Sequence, residues 1–227
     1  MTEIPLSLDE GGRFSTYRRG RVAGAIFSAM QITVVQGSLT EGSETLLVNA
    51  SNTNAALGSG VSSAIRQGCG PGYQDHIARE LAEAFGGPML PGQVLVTDAG
   101  THPRARWVAH VAVMDYREGF TGKSFPTLAV IEDCCKNLMR VIDELAEPVT
   151  VAMVALGAGT GNLRVREPTR LACEALRAYE GTKILGCTFY GYQLFEYAAM
   201  ADVVCQFFPA VLETIPADVR AAFQRPA

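Results

Sequence analysis

The feature that most constrains the fold of this chain is an apolar strand that passes through a Gly-rich turn into a helix. The run TLLVNA (45–50) predicts a strand buried on both faces, and a helix is predicted over Val61–Gln67. Gly58 and Gly60 remove two Cβ atoms from the turn, so the amide groups of residues 58–62 are expected to face outward together. Unpaired amides at the start of a helix attract anions. The turn therefore predicts either a phosphate site or a connection whose glycines serve only the backbone.

A second Gly-rich turn, GAGTGN (157–162), follows the most strand-like run of the sequence, VTVAMVAL (149–156). Open α/β sheets bind ligands outside the carboxyl ends of their strands. Two such turns at one edge of a sheet could hold the two ends of a diphosphate between them. The pair therefore indicates an anion site more strongly than either turn alone.

The rest of the chain alternates strands with helices. Strands are predicted over 32–39, 93–99, 105–115 and 183–192, and helices over 73–85, 125–147, 167–180 and in C-terminal segments to about Phe223. This alternation predicts a three-layer α/β domain with a mixed, largely parallel sheet. We interpret residues 32–227 as one domain, and residues 1–31, with YRRGR at 17–21, as an N-terminal arm or edge element.

Composition excludes several classes of protein. Of the 227 residues, 48% are hydrophobic, and no apolar run reaches the roughly 18 residues that span a membrane. The opening residues, MTEIPLSLDEGG, carry acids where a secretory leader carries bases. We therefore expect a soluble, cytoplasmic protein that has no membrane partner.

The cysteines and the net charge limit the cofactors and partners. The six cysteines lack CxxC or Cys/His spacing, so we expect reduced, mostly buried side chains and no metal site. The formal net charge of −4 argues against a nucleic-acid partner, because such proteins usually present a basic face to the phosphates. A small anion held by backbone amides needs no such face.

Other nucleotide motifs do not fit the sequence. In GFTGKS (119–124) the spacing between the glycines is two residues too short for a phosphate-binding P-loop. GAGTG lacks the third glycine of a dinucleotide fingerprint, and no acidic residue stands about 20 positions further on at the end of a second strand. The sequence also contains no GxSxG or HExxH motif. These enzyme classes are therefore not expected.

The order of five segments resembles that of the macrodomain family, the ADP-ribose-binding modules, over about residues 32–195. They are ITVVQGSLT, LLVNASNTNAALGSGVSSAIRQGCG, LPGQVLVTDAG, RWVAHVA and VALGAGTGN. The most specific part is Val-Asn-Ala-x-Asn followed by a Gly-rich turn, a Val and a helix. The resemblance implies a three-layer α/β/α sandwich with ADP-ribose, free or attached to a protein, in a cleft across the top of the sheet. It implies no cofactor.

The resemblance also implies roles for individual residues. Asn52 matches the asparagine that contacts the distal ribose, and an amide offers a donor and an acceptor to a ribose hydroxyl pair. Asn49 and Asn52 could instead cap the turn, and we interpret Asn49 as buried and structural. The remaining ligand positions are Ser38 and Leu39 beside the base, Gly58, Ser59, Gly60 and Val61 in the first diphosphate loop, and Gly157, Ala158, Gly159, Thr160, Gly161 and Asn162 in the second.

The sequence departs from the family pattern at positions that matter for chemistry. Ser38 stands where many members have an Asp that accepts from the adenine amino group, so adenine selectivity is left open. Ser62 stands where one hydrolytic branch has an Asp that helps activate water, and Gly161 or Asn162 replaces an aromatic residue of the second loop. Hydrolysis by that set of residues is therefore not supported.

Two functions remain open from the sequence. One is slow hydrolysis of an ADP-ribosyl derivative, such as ADP-ribosylated protein, O-acetyl-ADP-ribose or ADP-ribose phosphate, with Asn52 and, more weakly, Asp115 as catalytic candidates. Asp115 qualifies because it ends a strand at the expected cleft. His110 alternates with apolar residues on the same strand, so we interpret it as a core histidine. The other function is a reader that binds ADP-ribose or a related nucleotide without chemistry.

Overall fold

The computed structural model describes residues 30–223. The YRRGR run and nearly all of the segment interpreted as an arm lie outside the described residues, as do residues 224–227.

The strands that the structure describes within residues 30–223 are β1 (Gln31–Gln36), β2 (Leu46–Asn52), β3 (Val94–Asp98), β4 (Trp107–Met114), β5 (Val149–Met153) and β6 (Ile184–Gly191). These six strands form one mixed sheet in the order β1-β6-β5-β2-β4-β3. Every neighbouring pair is parallel except β3 and β4, which are antiparallel. The fold class predicted from the sequence is confirmed.

Helices cover both faces of the sheet. Their bounds are α1 (Gly60–Gly68), α2 (Tyr73–Phe85), α3 (Leu128–Asp143), α4 (Arg166–Ala178), α5 (Leu194–Phe207) and α6 (Ala217–Phe223). Neighbouring residues of β2 point to opposite faces, and Leu46 belongs to one apolar cluster while Leu47 belongs to the other. The Leu47 cluster includes residues of α1 and α2, and the Leu46 cluster includes residues of α3, α4, α5 and α6.

Element ends differ from the sequence prediction where a cap or a turn intervenes. The first strand stops at Gln36, and a short 3-10 helix covers Leu39–Glu41. The long helix begins at Leu128, because Thr127 caps it by accepting from the amide of Val130. Helix α2 has the predicted bounds.

No helix within residues 30–223 is both long enough and apolar enough to cross a lipid bilayer.

Candidate functional site

Two loops rich in glycine meet at one edge of the sheet. Strands β2 and β5 are parallel neighbours, so the segments that follow them emerge at the same carboxyl edge. We call residues 58–62 the first glycine loop and residues 157–162 the second glycine loop. All the diphosphate-binding positions implied by the resemblance lie on these two loops.

The first glycine loop presents a set of unpaired amides. Ser59 is the N-cap of α1, and the left-handed backbone of Gly60 (φ 56°) turns the chain into the helix. Within residues 30–223, none of the N–H groups of residues 58–62 has a hydrogen-bond partner. Gly58, Ser59 and Gly60 are exposed. The loop therefore has the chemistry of an anion site at a helix N-terminus.

The second glycine loop is wound tightly on itself. The amide of Asn162 donates to Gly159 O at 3.0 Å, and the amide of Leu163 donates to Gly157 O at 3.0 Å. A Cβ on Gly161 would lie 2.5 Å from Gly157 O, so the winding requires glycine there. In the part of the chain that the structure describes, the N–H groups of residues 159–161 are left without a partner. Two sets of free amides thus share one sheet edge.

The second loop rests on an apolar base. Gly157 has φ 81°, and a Cβ there would lie 3.1 Å from the side chains of Leu163 and Pro126 and 3.2 Å from that of Ile131. Gly157 and Gly161 are buried, whereas Gly159 and Thr160 are exposed. The exposed part of the loop is therefore anchored by buried residues at both of its ends.

Asn52 ends β2 and uses its side chain to hold the turn that follows. Its Oδ1 accepts from the amides of Asn54 (3.1 Å) and Ala56 (3.2 Å), and its Nδ2 donates to Ala56 O (2.9 Å). An amide side chain has two acceptor sites and two donor hydrogens. One N–H of Asn52 is therefore left to donate to a ligand, while its acceptor sites are occupied.

A buried chain of polar side chains fastens the first loop to the sheet. Ser62 Oγ donates to Asn49 Oδ1 at 2.8 Å, and Asn49 Nδ2 lies 3.1 Å from His110 Nδ1. Asn49 and His110 are register partners on β2 and β4, and both are 0% exposed. The predictions that Asn49 is buried and that His110 is a core histidine are confirmed.

The contact with Asn49 fixes the tautomer of His110. Nε2 of the ring lies 3.3 Å from Thr97 Oγ1 and 3.4 Å from Tyr73 OH, and Tyr73 OH donates to Asp98 O at 3.1 Å. Because Asn49 Nδ2 can only donate, His110 Nδ1 accepts and Nε2 carries the proton. Burial, with a smaller contribution from His76, lowers the pKa of His110 to about 3. His110 is therefore a neutral structural group rather than a base.

Ser62 belongs to this buried chain and not to the exposed face of α1. It is 6% exposed, and its hydroxyl hydrogen is committed to Asn49. A water-activating group at this position would have to give up that bond. The structure thus gives Ser62 a positioning contact that the sequence pattern did not reveal, since Asn49 is 13 residues away.

The positions that the resemblance assigns to the base, Ser38 and Leu39, lie at the other end of the same edge. The amide of Gly37 donates to Gly191 O at 3.1 Å, which places Ser38 beside the turn after β6. Ser38 Oγ lies 2.9 Å from Thr40 Oγ1, and the side chain of Leu39 is only 3% exposed because it packs in the core. Tyr192 in the adjacent turn is 68% exposed. The sequence analysis missed Tyr192, although an aromatic residue directly after a strand end is a visible signal.

Asp115 is paired with a neighbouring base. Arg117 donates to its two carboxylate oxygens at 2.9 and 2.7 Å, and these hydrogen bonds lower the pKa of Asp115 below its usual range. The same contacts raise the pKa of Arg117. Asp115 is therefore ionised near neutral pH, so it has no proton to donate as a general acid.

The described residues offer no group of three or more His, Cys, Asp or Glu side chains that could hold a metal ion. The six cysteines all lie in the described range and are free thiols, five of them buried and Cys205 partly exposed. Burial raises the pKa of each buried thiol, so these cysteines pack as small apolar side chains.

Two kinds of sequence comparison point to one family. The model of the macro domain matches residues 48–172. A macro domain-containing protein of Streptomyces coelicolor is 30% identical over 172 residues, which cover 75% of this chain and 96% of that protein. A DNA ADP-ribosyl glycohydrolase of Thermus aquaticus is 27% identical over 150 residues, which cover 66% of this chain but 39% of that protein.

Solved structures share the fold. An Oceanobacillus iheyensis macrodomain mutant with ADPR has a TM-score of 0.65 and 16% identity, and covers 78% of this chain and 92% of its own. A Trypanosoma brucei macrodomain in complex with ADP-ribose has a TM-score of 0.59 and 21% identity, and covers 75% of this chain and 67% of its own. At these identities the likeness concerns the fold.

Proposed function

The chain belongs to the macrodomain family, and we propose on that premise that it binds ADP-ribose at the carboxyl edge of the sheet. The observation that carries the proposal is the pair of glycine loops, which present unpaired amides from residues 58–62 and 159–161 at the ends of two neighbouring strands. A diphosphate has two anionic groups for two such sets of donors. In the pose that we propose, the diphosphate of ADP-ribose lies on the two glycine loops.

In this pose the other parts of the ligand lie along the same edge. The base lies beside Ser38, where the exposed ring of Tyr192 offers a stacking surface. The distal ribose lies near Asn52, which has one N–H left to donate to a hydroxyl. Because Ser38 offers a neutral hydroxyl, we expect weak discrimination between adenine and other purines.

We further propose that any hydrolysis of ADP-ribosyl derivatives by this protein is slow. The support is chemical: Ser62 donates to Asn49, both carboxylate oxygens of Asp115 accept from Arg117, and His110 is buried. General acid-base assistance contributes about 100-fold to 10,000-fold in rate, so a cleft without it retains poor turnover. Single-turnover measurements on ADP-ribosylated protein, O-acetyl-ADP-ribose and ADP-ribose phosphate test this part, with Asn52→Ala and Asp115→Asn as variants. No turnover on any of them would leave a reader.

A cytoplasmic location is also part of the proposal. Its support is that all six cysteines are free, as expected in a reducing compartment. The protein partner of a reader or hydrolase would be one that carries ADP-ribose.

The test is calorimetric titration with ADP-ribose, ADP and inosine-diphosphate-ribose. We expect ADP-ribose to bind wild-type protein and to lose at least about 100-fold in affinity in Gly159→Glu, because a carboxylate would occupy the anion site. A Cβ on Gly159 meets nothing within 4 Å, so the substitution leaves the fold intact. Gly87→Glu is the matched control, since its Cβ is equally unobstructed and lies outside both loops. Undiminished affinity in Gly159→Glu would overturn the proposed site.

A further inference from the structure

A row of three aromatic rings lies on the segment that joins β4 to α3. Tyr116 and Phe120 meet edge to face at 5.6 Å, as do Phe120 and Phe125. Phe120 is 61% exposed and Phe125 is 42% exposed. We call Tyr116, Phe120 and Phe125 the aromatic row.

The segment that carries the row is attached to the turn after β2 and, through Pro126, lies close to the second glycine loop. At one end, the amide of Tyr116 donates to Thr53 Oγ1 at 2.8 Å, and Asn54 Nδ2 donates to Tyr116 O at 3.3 Å. These contacts lie in the turn that Asn52 holds. At the other end, Phe125 precedes Pro126, whose side chain lies 3.1 Å from the position that a Cβ on Gly157 of the second loop would occupy. The row therefore borders the part of the cleft where the distal ribose is proposed to lie.

The segment that carries the row is held rigidly. Ser124 Oγ donates to Gly119 O at 3.1 Å and accepts from the amide of Thr121 at 2.9 Å, and the amide of Asp115 donates to Ser124 O at 3.0 Å. Ser124 is 1% exposed. Exposed aromatic rings on a fixed backbone lose little conformational entropy on binding, and they are the side chains most often found at the energetic centres of interfaces.

The charges around the row favour a polypeptide over a nucleic acid. The charged side chains of the segment are Asp115, Arg117, Glu118 and Lys123, two acidic and two basic, and Arg117 is already paired with Asp115. Single-stranded nucleic acids are bound by aromatic platforms inside positively charged grooves. This segment has no excess of positive charge, and the whole chain carries −4. Apolar rings with a balanced polar rim match the composition of protein interfaces.

We propose that the aromatic row docks the peptide chain that flanks an ADP-ribosylated residue, so that the preferred ligand of the site is ADP-ribose attached to a polypeptide. The inference rests on the proposed function and adds to it the surface that would contact the peptide chain of the partner. In an extended peptide the side chains two residues before and after the modified residue share its face, and they would pack on Phe120 and Phe125.

The experiment compares three conjugates that carry ADP-ribose through a thioether bond, which resists hydrolysis. They are a single acetylated amino-acid amide, a peptide of about twelve residues with leucine two positions to either side of the modified residue, and a single-stranded oligonucleotide. Affinities are measured by calorimetry for wild type, Phe120→Ser, Phe125→Ser and the control Leu185→Ser. Leu185 is 52% exposed and lies on β6, away from the row.

We expect the peptide conjugate to bind wild-type protein about tenfold or more tightly than the amino-acid conjugate. Burial of one anchoring side chain at an interface typically contributes a gain in affinity of this size. Phe120→Ser and Phe125→Ser remove that gain and leave the amino-acid conjugate and free ADP-ribose unaffected, and Leu185→Ser changes nothing. No gain for the peptide, a gain that survives both Phe substitutions, or an equal gain for the oligonucleotide would overturn the aromatic row as a peptide site. Failure of wild-type protein to bind free ADP-ribose would instead overturn the proposed function itself, and the row with it.

Discussion

The two glycine loops present the same chemistry to a ligand but are built in different ways. The first loop is tied to the sheet by buried hydrogen bonds from Ser62 through Asn49 to His110. In the second loop Gly157 lies so close to Pro126 and Ile131 that a Cβ would stand 3.1 and 3.2 Å from their side chains, and the loop closes on its own backbone. Loss of a polar partner should therefore damage the first loop, and added volume should damage the second.

The largest expected effect is on the polar tether, by which we mean the hydrogen-bonded side chains of Ser62, Asn49 and His110. Asn49→Leu keeps the volume of the side chain but leaves the hydroxyl of Ser62 and Nδ1 of His110 buried without partners. We expect the free energy of unfolding to fall by about 3 kcal/mol, since each unpaired buried polar group costs about 1–3 kcal/mol. Urea unfolding measures it. Asn54→Leu, at an exposed position in the turn after β2, is the control and should cost less than about 1 kcal/mol.

The second expected effect is a pH dependence of the unfolding free energy that comes from His110, at the end of the polar tether of the first loop. The pKa of His110 is about 3 in the folded protein, below its ordinary value of 6.5. Between these values only the unfolded state takes up the proton, so the stability that neutral His110 contributes is complete above about pH 6.5 and is lost as the pH falls. At pH 5 the loss is about 2 kcal/mol.

Urea midpoints at pH 7 and pH 5 measure this loss in wild type and in His110→Gln, whose side chain does not titrate. We expect the drop to be smaller in the variant by about 2 kcal/mol. Equal drops in the two proteins would show that His110 is not held neutral by the fold, and the contrast between the loops would lose its electrostatic part.

The third expected effect concerns volume in the second loop. Gly161→Ala would place a Cβ 2.5 Å from Gly157 O, so the loop must open. We expect the affinity for ADP-ribose to fall about tenfold, equivalent to about 1.4 kcal/mol. Gly159→Ala adds the same methyl group where nothing lies within 4 Å, and it should bind as wild type does. The same loss in both variants would mean that the tight winding of the loop does not matter for binding.

The positions of both glycine loops and of helix α2 could be predicted from the sequence, but the end of strand β5 could not. Both loops were predicted, because glycine clusters directly after apolar strands are a local pattern, and so were the bounds of α2, whose apolar stripe lies between two glycines. Strand β5 was predicted to run to residue 156 but ends at Met153, because the apolar run continues beyond the ladder to the buried Leu156. An apolar run indicates that its residues are buried, but it does not show that they pair with a neighbouring strand.

The tether could not be predicted, because it depends on long-range register. Asn49 meets His110 only because β2 and β4 pair with these residues opposite each other, 61 residues apart in sequence. The Asp115–Arg117 pair depends on the conformation of a loop, which residue types alone do not determine. The features of the site that were hardest to predict are therefore side-chain contacts that depend on how separate segments and loops are folded.

The smallest expected effect separates positioning from catalysis at Ser62. Ser62→Ala leaves Asn49 Oδ1 buried without its donor but keeps His110 paired, so we expect a loss of about 1 kcal/mol in unfolding free energy, the low end of the cost of one unpaired buried polar group. Turnover, where it is detectable, should hardly change, because the hydroxyl is committed to the core. Ser62→Asp would instead place a carboxylate against Asn49 Oδ1 at a position that is 6% exposed, so it should cost more stability than the alanine. If Ser62→Ala slowed turnover more than about tenfold while the unfolding midpoint stayed in place, Ser62 would act on the substrate, and the first loop would be catalytic machinery as well as an anion site.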